Sequence, residues 1–314
     1  MSRVLICMTA AALFTCLPSM YFFHFARRTL RSRNQQARDA VRTTTLIKTY
    51  LLTATLGCVA SVLIQMALTY PLALICTGSH ETAVTYYNDR YQPRSPPKDD
   101  HQRTAVANEI SLDPKMWLFE ALHAFLLAGV VDEAVKHSAF ARARPRSQYV
   151  YNGGQRDRQK QWSQDHLLVA AATGLGFATF ENMVFFLGAA LAPSTETSAF
   201  NFAVLVVFRT IIGEAFHTML VVLSCINHLF IDLNGESAMG LACSWWQVLG
   251  KSAMLHGIWN FGAIAGDVLY YVDWFRYGPY IGSLMCLCAG SGTLIVLARL
   301  VWTRLKQYEQ EVGM

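Results

Sequence analysis

The chain has 314 residues, of which 53% are hydrophobic and only 15% are charged. Soluble domains carry charge on about a quarter of their residues, so this balance indicates an integral membrane protein and excludes a large soluble domain. The formal net charge of +5 comes from basic residues that flank apolar segments, which argues against a nucleic-acid-binding surface.

Seven segments are predicted to span a membrane, because each offers the roughly 20 mostly apolar residues that a transmembrane helix needs. We therefore predict an all-α fold, a polytopic bundle of about seven helices that forms one integral membrane domain over residues 1–314. The segments cover residues 4–25, 46–76, 116–140, 166–192, 200–231, 245–272 and 278–302.

The connections between these segments differ in charge. Residues 26–45 and 141–165 are rich in arginine and lysine, whereas residues 77–115 show no such excess. Basic connections usually lie in the cytosol. We therefore predict a basic cytosolic loop at 141–165, an outer loop at 77–115, an N-terminus outside or in a lumen, and a cytosolic C-terminus.

The third predicted span carries four ionisable residues close together in the stretch VVDEAVKH: Asp132, Glu133, Lys136 and His137. Each such residue at bilayer depth costs about 2.5–3.5 kcal/mol on insertion scales, so it is expected to face other helices and to have partners there. Glu133 shares a helix face with Lys136 and His137.

The next three spans supply the expected partners. The fourth holds Glu181 and Asn182, the fifth holds Arg209, Glu214 and His217, and the sixth holds His256 and Asn260, four residues apart on one helix face. At about 1.5 Å rise per residue, the acids, histidines and amide of the four spans are predicted to lie at a similar depth.

This set of side chains is typical of hydrolysis. A buried carboxylate can take a proton from water, while two histidines and an asparagine orient that water or bind the oxyanion. Two histidines and a carboxylate can instead hold a zinc ion with one open position. The HExxH motif of the commonest zinc proteases is absent.

Four ordered motifs resemble those of the PrsW-type intramembrane protease family, which is related to CAAX-processing and bacteriocin-processing membrane proteases. The paired-carboxylate motif EExxK reads DEAVK here, and the Phe and Glu-Asn motif reads FATFEN. A histidine in a later helix corresponds to His217, and the histidine with a polar residue four positions on reads HGIWN. The motifs cover residues 116–265, the predicted catalytic four-helix core.

The resemblance implies cleavage of a peptide bond within or next to the membrane, either by a metal-dependent or by a glutamic-type mechanism. It implies no cofactor for the glutamic type and zinc, held by His217 and His256, for the metal type. Carried over residue by residue, the predicted catalytic residues are Asp132, Glu133, His217, His256 and Asn260.

Four further residues are predicted to support this site: Lys136, Glu181, Asn182 and Arg209. Lys136 would pair with the acids, and Arg209 would pair with Glu181 or Glu133. The family's first Glu is Asp132 in this chain, which retracts the carboxylate by about 1–1.5 Å, and a misplacement of this size can cost about 100-fold in rate. Which of Asp132 and Glu133 acts as the base stays open.

Two other functions fit the residues. A proton-coupled transporter also uses membrane carboxylates, histidines and lysines, but carriers often show internal repeats, and none is found here. An inactive relative would bind membrane proteins without cutting them. For the protease, the expected partners are a membrane-protein or membrane-anchored peptide substrate and the lipid bilayer, with no nucleic acid.

Overall fold

The structure is a computed structural model, and seven long helices run through the part of the chain that it describes. No strand occurs in that part, as predicted for an all-α bundle. The described residues are 2–33, 42–84, 108, 112–145, 154–191, 209–234, 241–270, 281, 284–285 and 288–311.

Three of the helices are uninterrupted: α1 is Ser2–Arg33, α4 is Gln155–Leu191 and α6 is Leu241–Tyr270. The other four each contain a π-helical segment. In α2, Thr43–Thr77, it is Thr53–Gly57. In α3, 114–143, it is His123–Val131, and in α5, 209–234, it is Arg209–Gly213. In α7, 288–311, it is Cys288–Gly292.

Local chemistry explains where α2 ends and where α3 begins. Gly78 follows α2 with a φ of 66°, a left-handed conformation that glycine adopts without steric cost. Asp113 caps the start of α3 by accepting a hydrogen bond from the Lys115 backbone N–H at 2.8 Å, and Pro114 occupies the first helical position. The long third helix is therefore bounded at its predicted outer end.

Helix α4 lies at the centre of the described bundle. It packs against α1, α2 and α5, while α3 packs against α6 along its π-helical segment. One apolar core joins α1, α2, α3, α4, α5 and α7, around residues such as Leu30, Leu46, Phe140, Val169 and Leu229. These contacts bring the polar faces of α2, α3, α4, α5 and α6 together.

Three of the helical segments are long and apolar enough, by length and composition, to cross a membrane: Thr43–Thr77, Asp157–Val184 and Arg209–Ile231. They correspond to the second, fourth and fifth predicted spans. The search covered only the described residues, and the total of seven spans stays a prediction. Most of the predicted outer loop 77–115 and the beginning of the fifth predicted span lie outside the described residues.

The fourth helix begins earlier than its predicted span. It starts at Gln155, so its first turns occupy part of the segment predicted as the basic loop 141–165. These turns are helical because their polar side chains have partners on α7: Gln159 Nε2 and Ser163 Oγ lie 2.9 and 2.7 Å from Tyr308 Oη. Hydropathy alone does not detect such an extension.

Candidate active site

The centre of the candidate site is the Glu133 carboxylate on α3, which is 1% exposed. Its Oε1 atom accepts a hydrogen bond from Lys136 Nζ at 2.6 Å and another from His256 Nδ1 at 3.0 Å. Lys136 is one helical turn further along α3, as the spacing of three residues predicts. The buried negative charge is therefore balanced and held by two helices, α3 and α6.

Helix α5 brings a second histidine to the same place. Lys136 Nζ donates to His217 Nδ1 at 3.2 Å and lies 4.5 Å above the ring of Phe177. The His217 and His256 rings meet edge to face, with their centroids 4.9 Å apart. A single connected group therefore contains Glu133, Lys136, His217 and His256, all nearly inaccessible to solvent.

The second acid, Asp132, faces a different neighbour. Its Oδ1 atom accepts hydrogen bonds from Ser61 Oγ and from Gln65 Nε2, the latter at 2.6 Å. Its Oδ2 atom lies 3.8 Å from His256 Nε2. Consecutive residues of a helix point about 100° apart, so Asp132 turns toward α2 while Glu133 turns toward α5 and α6.

The predicted supporting residues of α4 and α5 form an adjoining network. Arg209 Nη2 donates to Glu181 Oε1 at 3.1 Å, and Arg209 Nε donates to Asn182 Oδ1 at 3.2 Å. Asn182 Nδ2 lies 3.5 Å from Glu214 Oε1. Glu181 Oε2 lies 3.3 Å from His217 Nε2, which connects this network to the central group.

A cavity of about 450 Å³ lies beside the central group, between α2, α3, α4, α5 and α6. Its polar lining comes from Ser61, Gln65, His123, Asp132, Glu181, Arg209 and Asn260. Both Asp132 and Glu181, which contact the two histidines, belong to this lining. The cavity is therefore joined to the central group through these two carboxylates.

Three donor atoms of the central group are arranged in a way that suits a metal ion. Glu133, His217 and His256 each offer one ligand atom, and these atoms lie within 4.8 Å of one another. Two histidines and one carboxylate make up a donor set of catalytic zinc sites, which leave the fourth position to water. The residues fit a divalent ion, provided that Lys136 gives up its contacts with Glu133 and His217.

Most of the predicted site residues come together. Asp132, Glu133, Lys136, Glu181, His217 and His256 form one continuous set of contacts, to which Arg209 and Asn182 are joined. Asn260 lines the cavity but, among the described residues, shares no hydrogen bond with Asp132, Glu133, His217 or His256. His137 lies outside the set, against Phe140, His228 and Trp245.

Two residues in contact with the site were missed by the sequence reasoning: Ser61 and Gln65 of α2. Their one detectable signal is a hydroxyl and an amide spaced one helical turn apart in an otherwise apolar span. A serine in a membrane helix is common, so this signal alone does not distinguish a site from ordinary helix packing.

Comparison with known proteins identifies the family to which the chain belongs. A model of the PrsW family of intramembrane metalloproteases matches residues 102–287, more than half of the chain, and this range includes every residue of the predicted site. Searches of curated proteins and of solved structures gave no significant match. Together with its apolar helices, the match shows that this integral membrane protein belongs to the PrsW family of intramembrane metalloproteases and is a peptidase.

Proposed function

We propose that the chain hydrolyses a peptide bond of a membrane protein or membrane-anchored peptide at the cluster of Glu133, His217 and His256. The observation that carries this proposal is the buried Glu133 carboxylate, which is bonded to His256 and has a ligand atom of His217 within 4.8 Å. A cavity with a second carboxylate, Asp132, in its wall lies beside them. An ion pair that served only to stabilise the bundle would not need a cavity beside it.

A divalent metal, with zinc as the ion that suits the donor set, would be held by Glu133, His217 and His256. Such an ion, when bound, polarises the peptide carbonyl and makes a water molecule more acidic. Lys136 would then leave Glu133 and His217 and serve as a nearby positive charge.

The carboxylate of Asp132 would move the proton. Its Oδ2 atom is next to His256 and its side chain lines the cavity, so a water molecule there can give it a proton while the water oxygen bonds to the carbonyl carbon. Asp132 then gives that proton to the amine nitrogen as the C–N bond breaks. This assignment selects Asp132 as the base and leaves Glu133 as a ligand.

Two other residues of the cavity wall would handle the substrate. Asn260 can donate a hydrogen bond from its amide to a substrate carbonyl. In the described part of the chain its amide shares no hydrogen bond with the residues Asp132, Glu133, His217 and His256. Arg209 is oriented by Glu181 and Asn182. Its side chain is 21% exposed and lines the cavity, so it can also contact a substrate.

A glutamic-type mechanism uses the same residues without a metal. In that case His217 and His256 orient the water and a carboxylate takes its proton, while Lys136 keeps its contact with Glu133. The 2.6 Å contact between Lys136 and Glu133 is the observation that favours it. The two mechanisms differ in whether a chelator stops cleavage.

The test is cleavage of a panel of membrane-peptide reporters by purified protein in lipid vesicles, with and without a zinc chelator. Wild type is expected to cut at least one reporter, with activity lost on chelation and restored by zinc. Glu133→Ala, Asp132→Ala and His256→Ala are each expected to lose at least 100-fold in activity. Ser138→Ala is the control, since among the described residues the Ser138 hydroxyl bonds only to the Ala134 carbonyl of its own helix.

Three results would change the proposal. Cleavage that survives the chelator but not the substitutions would replace the metal mechanism by the glutamic one. Cleavage that survives all three substitutions, or a wild type that cuts no reporter, would overturn the assignment of this cluster as a hydrolytic site.

A further inference from the structure

We propose that Ser61 and Gln65 of α2 are positioning residues that hold the Asp132 carboxylate in the orientation needed for proton transfer. This inference rests on the proposed role of Asp132 in the reaction. It extends the site to a helix outside residues 102–287, the range that the family model matches.

The contacts converge on one oxygen atom. Ser61 Oγ and Gln65 Nε2 both donate to Asp132 Oδ1, and Gln65 Nε2 also lies 3.1 Å from Ser61 Oγ. Ser61 is 1% exposed, so its hydroxyl has no competing contact with bulk water. The spacing of four residues places both donors on the same face of α2.

Two donors on Oδ1 decide which oxygen is available for chemistry. The last torsion of an aspartate side chain has broad, nearly twofold-symmetric preferences, so the chain itself does not distinguish its two oxygens. With Oδ1 occupied by α2, Oδ2 is directed toward His256 Nε2 at 3.8 Å. Hydrogen bonds to a carboxylate are among the stronger ones and leave little freedom to rotate.

The short side chain at position 132 explains why such support is needed. An aspartate reaches about one methylene less far from the helix than a glutamate would, so the position of its carboxylate depends more on the donors that α2 offers. Ser61, Gln65 and Asp132 all line the same cavity. The support therefore acts at the substrate side of the site.

The test compares the kinetics of Ser61→Ala, Gln65→Met and Ser61→Thr with those of wild type and of the control Ser138→Ala. Ser61→Ala and Gln65→Met are expected to lower kcat about 10- to 100-fold with KM within about twofold, because a misplaced base affects the chemical step. Ser61→Thr keeps the hydroxyl and is expected to recover most of kcat. The control is expected to match wild type.

An infrared measurement tests the hydrogen bond between Ser61 and Asp132 independently of reporter cleavage. The difference spectrum between wild type and Asp132→Asn isolates the carboxylate band of Asp132, and Ser61→Ala is expected to shift that band whereas Ser138→Ala is not. Thermal unfolding of each variant checks that the fold is kept.

The outcomes separate this inference from the proposed function. An unshifted band, or a wild-type kcat in both Ser61→Ala and Gln65→Met, overturns the role of α2 even when Glu133→Ala is inactive. A loss in Ser61→Ala that Ser61→Thr does not recover also overturns it. A shifted band in a protein that cuts no reporter keeps the hydrogen bonds but removes their proposed catalytic purpose, and the inference fails together with the function.

Discussion

The side chain of Lys136 shows how single residues set the chemistry of this site. Its ammonium group is completely buried, 2.6 Å from Glu133 Oε1 and 3.2 Å from His217 Nδ1. Buried ion pairs gain little over apolar residues of the same size, but a buried charge that loses its partner is costly. Lys136 and Glu133 are therefore expected to depend on each other.

Replacing Lys136 by methionine is expected to lower the free energy of unfolding by about 3–5 kcal/mol, because Glu133 keeps a buried charge without its closest partner. The double variant Lys136→Met, Glu133→Gln is expected to regain most of that loss. Denaturation of the metal-free protein in detergent measures both. Lys115→Met, at the exposed start of the same helix, is the control, and a Lys136→Met variant as stable as this control would contradict the prediction.

Lys136 is also expected to compete with a metal ion for Glu133 and His217. Since Lys136 contacts two of the three donor residues, Lys136→Met is expected to bind zinc at least tenfold more tightly than wild type. Titration calorimetry of the metal-free proteins measures the affinity, with His256→Ala as the variant that should lose it. Equal zinc affinity in Lys136→Met and wild type would show that the ammonium does not compete for these atoms.

At the scale of helices, small residues let α4 approach its neighbours closely. A methyl group at Gly174 would lie 2.5 Å from Thr218 Cα and 3.1 Å from the His217 carbonyl oxygen, both on α5. Small residues at such crossings are typical of membrane helices, where close backbone contact replaces the hydrophobic effect. The distance between α4 and α5 sets the position of His217 relative to Glu181.

Gly174→Ala is therefore expected to push α5 away and to cost about 1–3 kcal/mol in stability, the usual range for overpacking. Because His217 moves with α5, reporter cleavage is expected to fall about 100-fold or more. Gly292→Ala is the matched control, since in the described part of the chain a methyl group there meets no atom of a neighbouring helix within 4 Å. Unchanged cleavage and stability in Gly174→Ala would mean that the two helices can separate without cost.

At the scale of the whole molecule, the helix ends fall at two opposite sides. Tyr308 of α7 contacts Gln159 and Ser163 of α4, and α1 and α3 contribute Leu30 and Phe140 to the same core. On the other side, Lys115 Nζ at the start of α3 lies 3.4 Å from the Thr77 carbonyl oxygen at the end of α2. These contacts show that α1, α2, α3 and α4 alternate in direction.

The predicted orientation assigns the side with Tyr308 to the cytosol. Cysteines placed at the exposed residues Lys160 and Lys306 are expected to react with a membrane-impermeant maleimide only from the cytosolic side, and a cysteine at His80 only from the opposite side. Labelling of sealed vesicles of known orientation measures this against the unmodified parent protein. Labelling of His80→Cys and Lys160→Cys from one side would exclude the predicted topology.

Much of the site can be predicted from helix periodicity and from the cost of placing polar groups in lipid. The all-α class follows from apolar length, because a backbone in lipid must satisfy its hydrogen bonds internally. The candidate residues of the site are detectable because an ionisable side chain at bilayer depth is costly and is therefore expected to be functional. They include Asp132, Glu133, His217 and His256. Such rules also predict which residues share a helix face, as with Glu133 and Lys136.

Other features depend on how the helices pack, and local sequence patterns do not predict this packing. The sequence by itself determined the class of protein and the pool of polar residues that form the site. Only the tertiary structure decided that Asp132 turns to Ser61 and Gln65, that Glu133 turns to His256 and Lys136, and that His137 lies apart from them. The physical reason is that hydrogen bonds between helices depend on crossing angles and separations, which the close contacts of residues such as Gly174 set across the whole bundle.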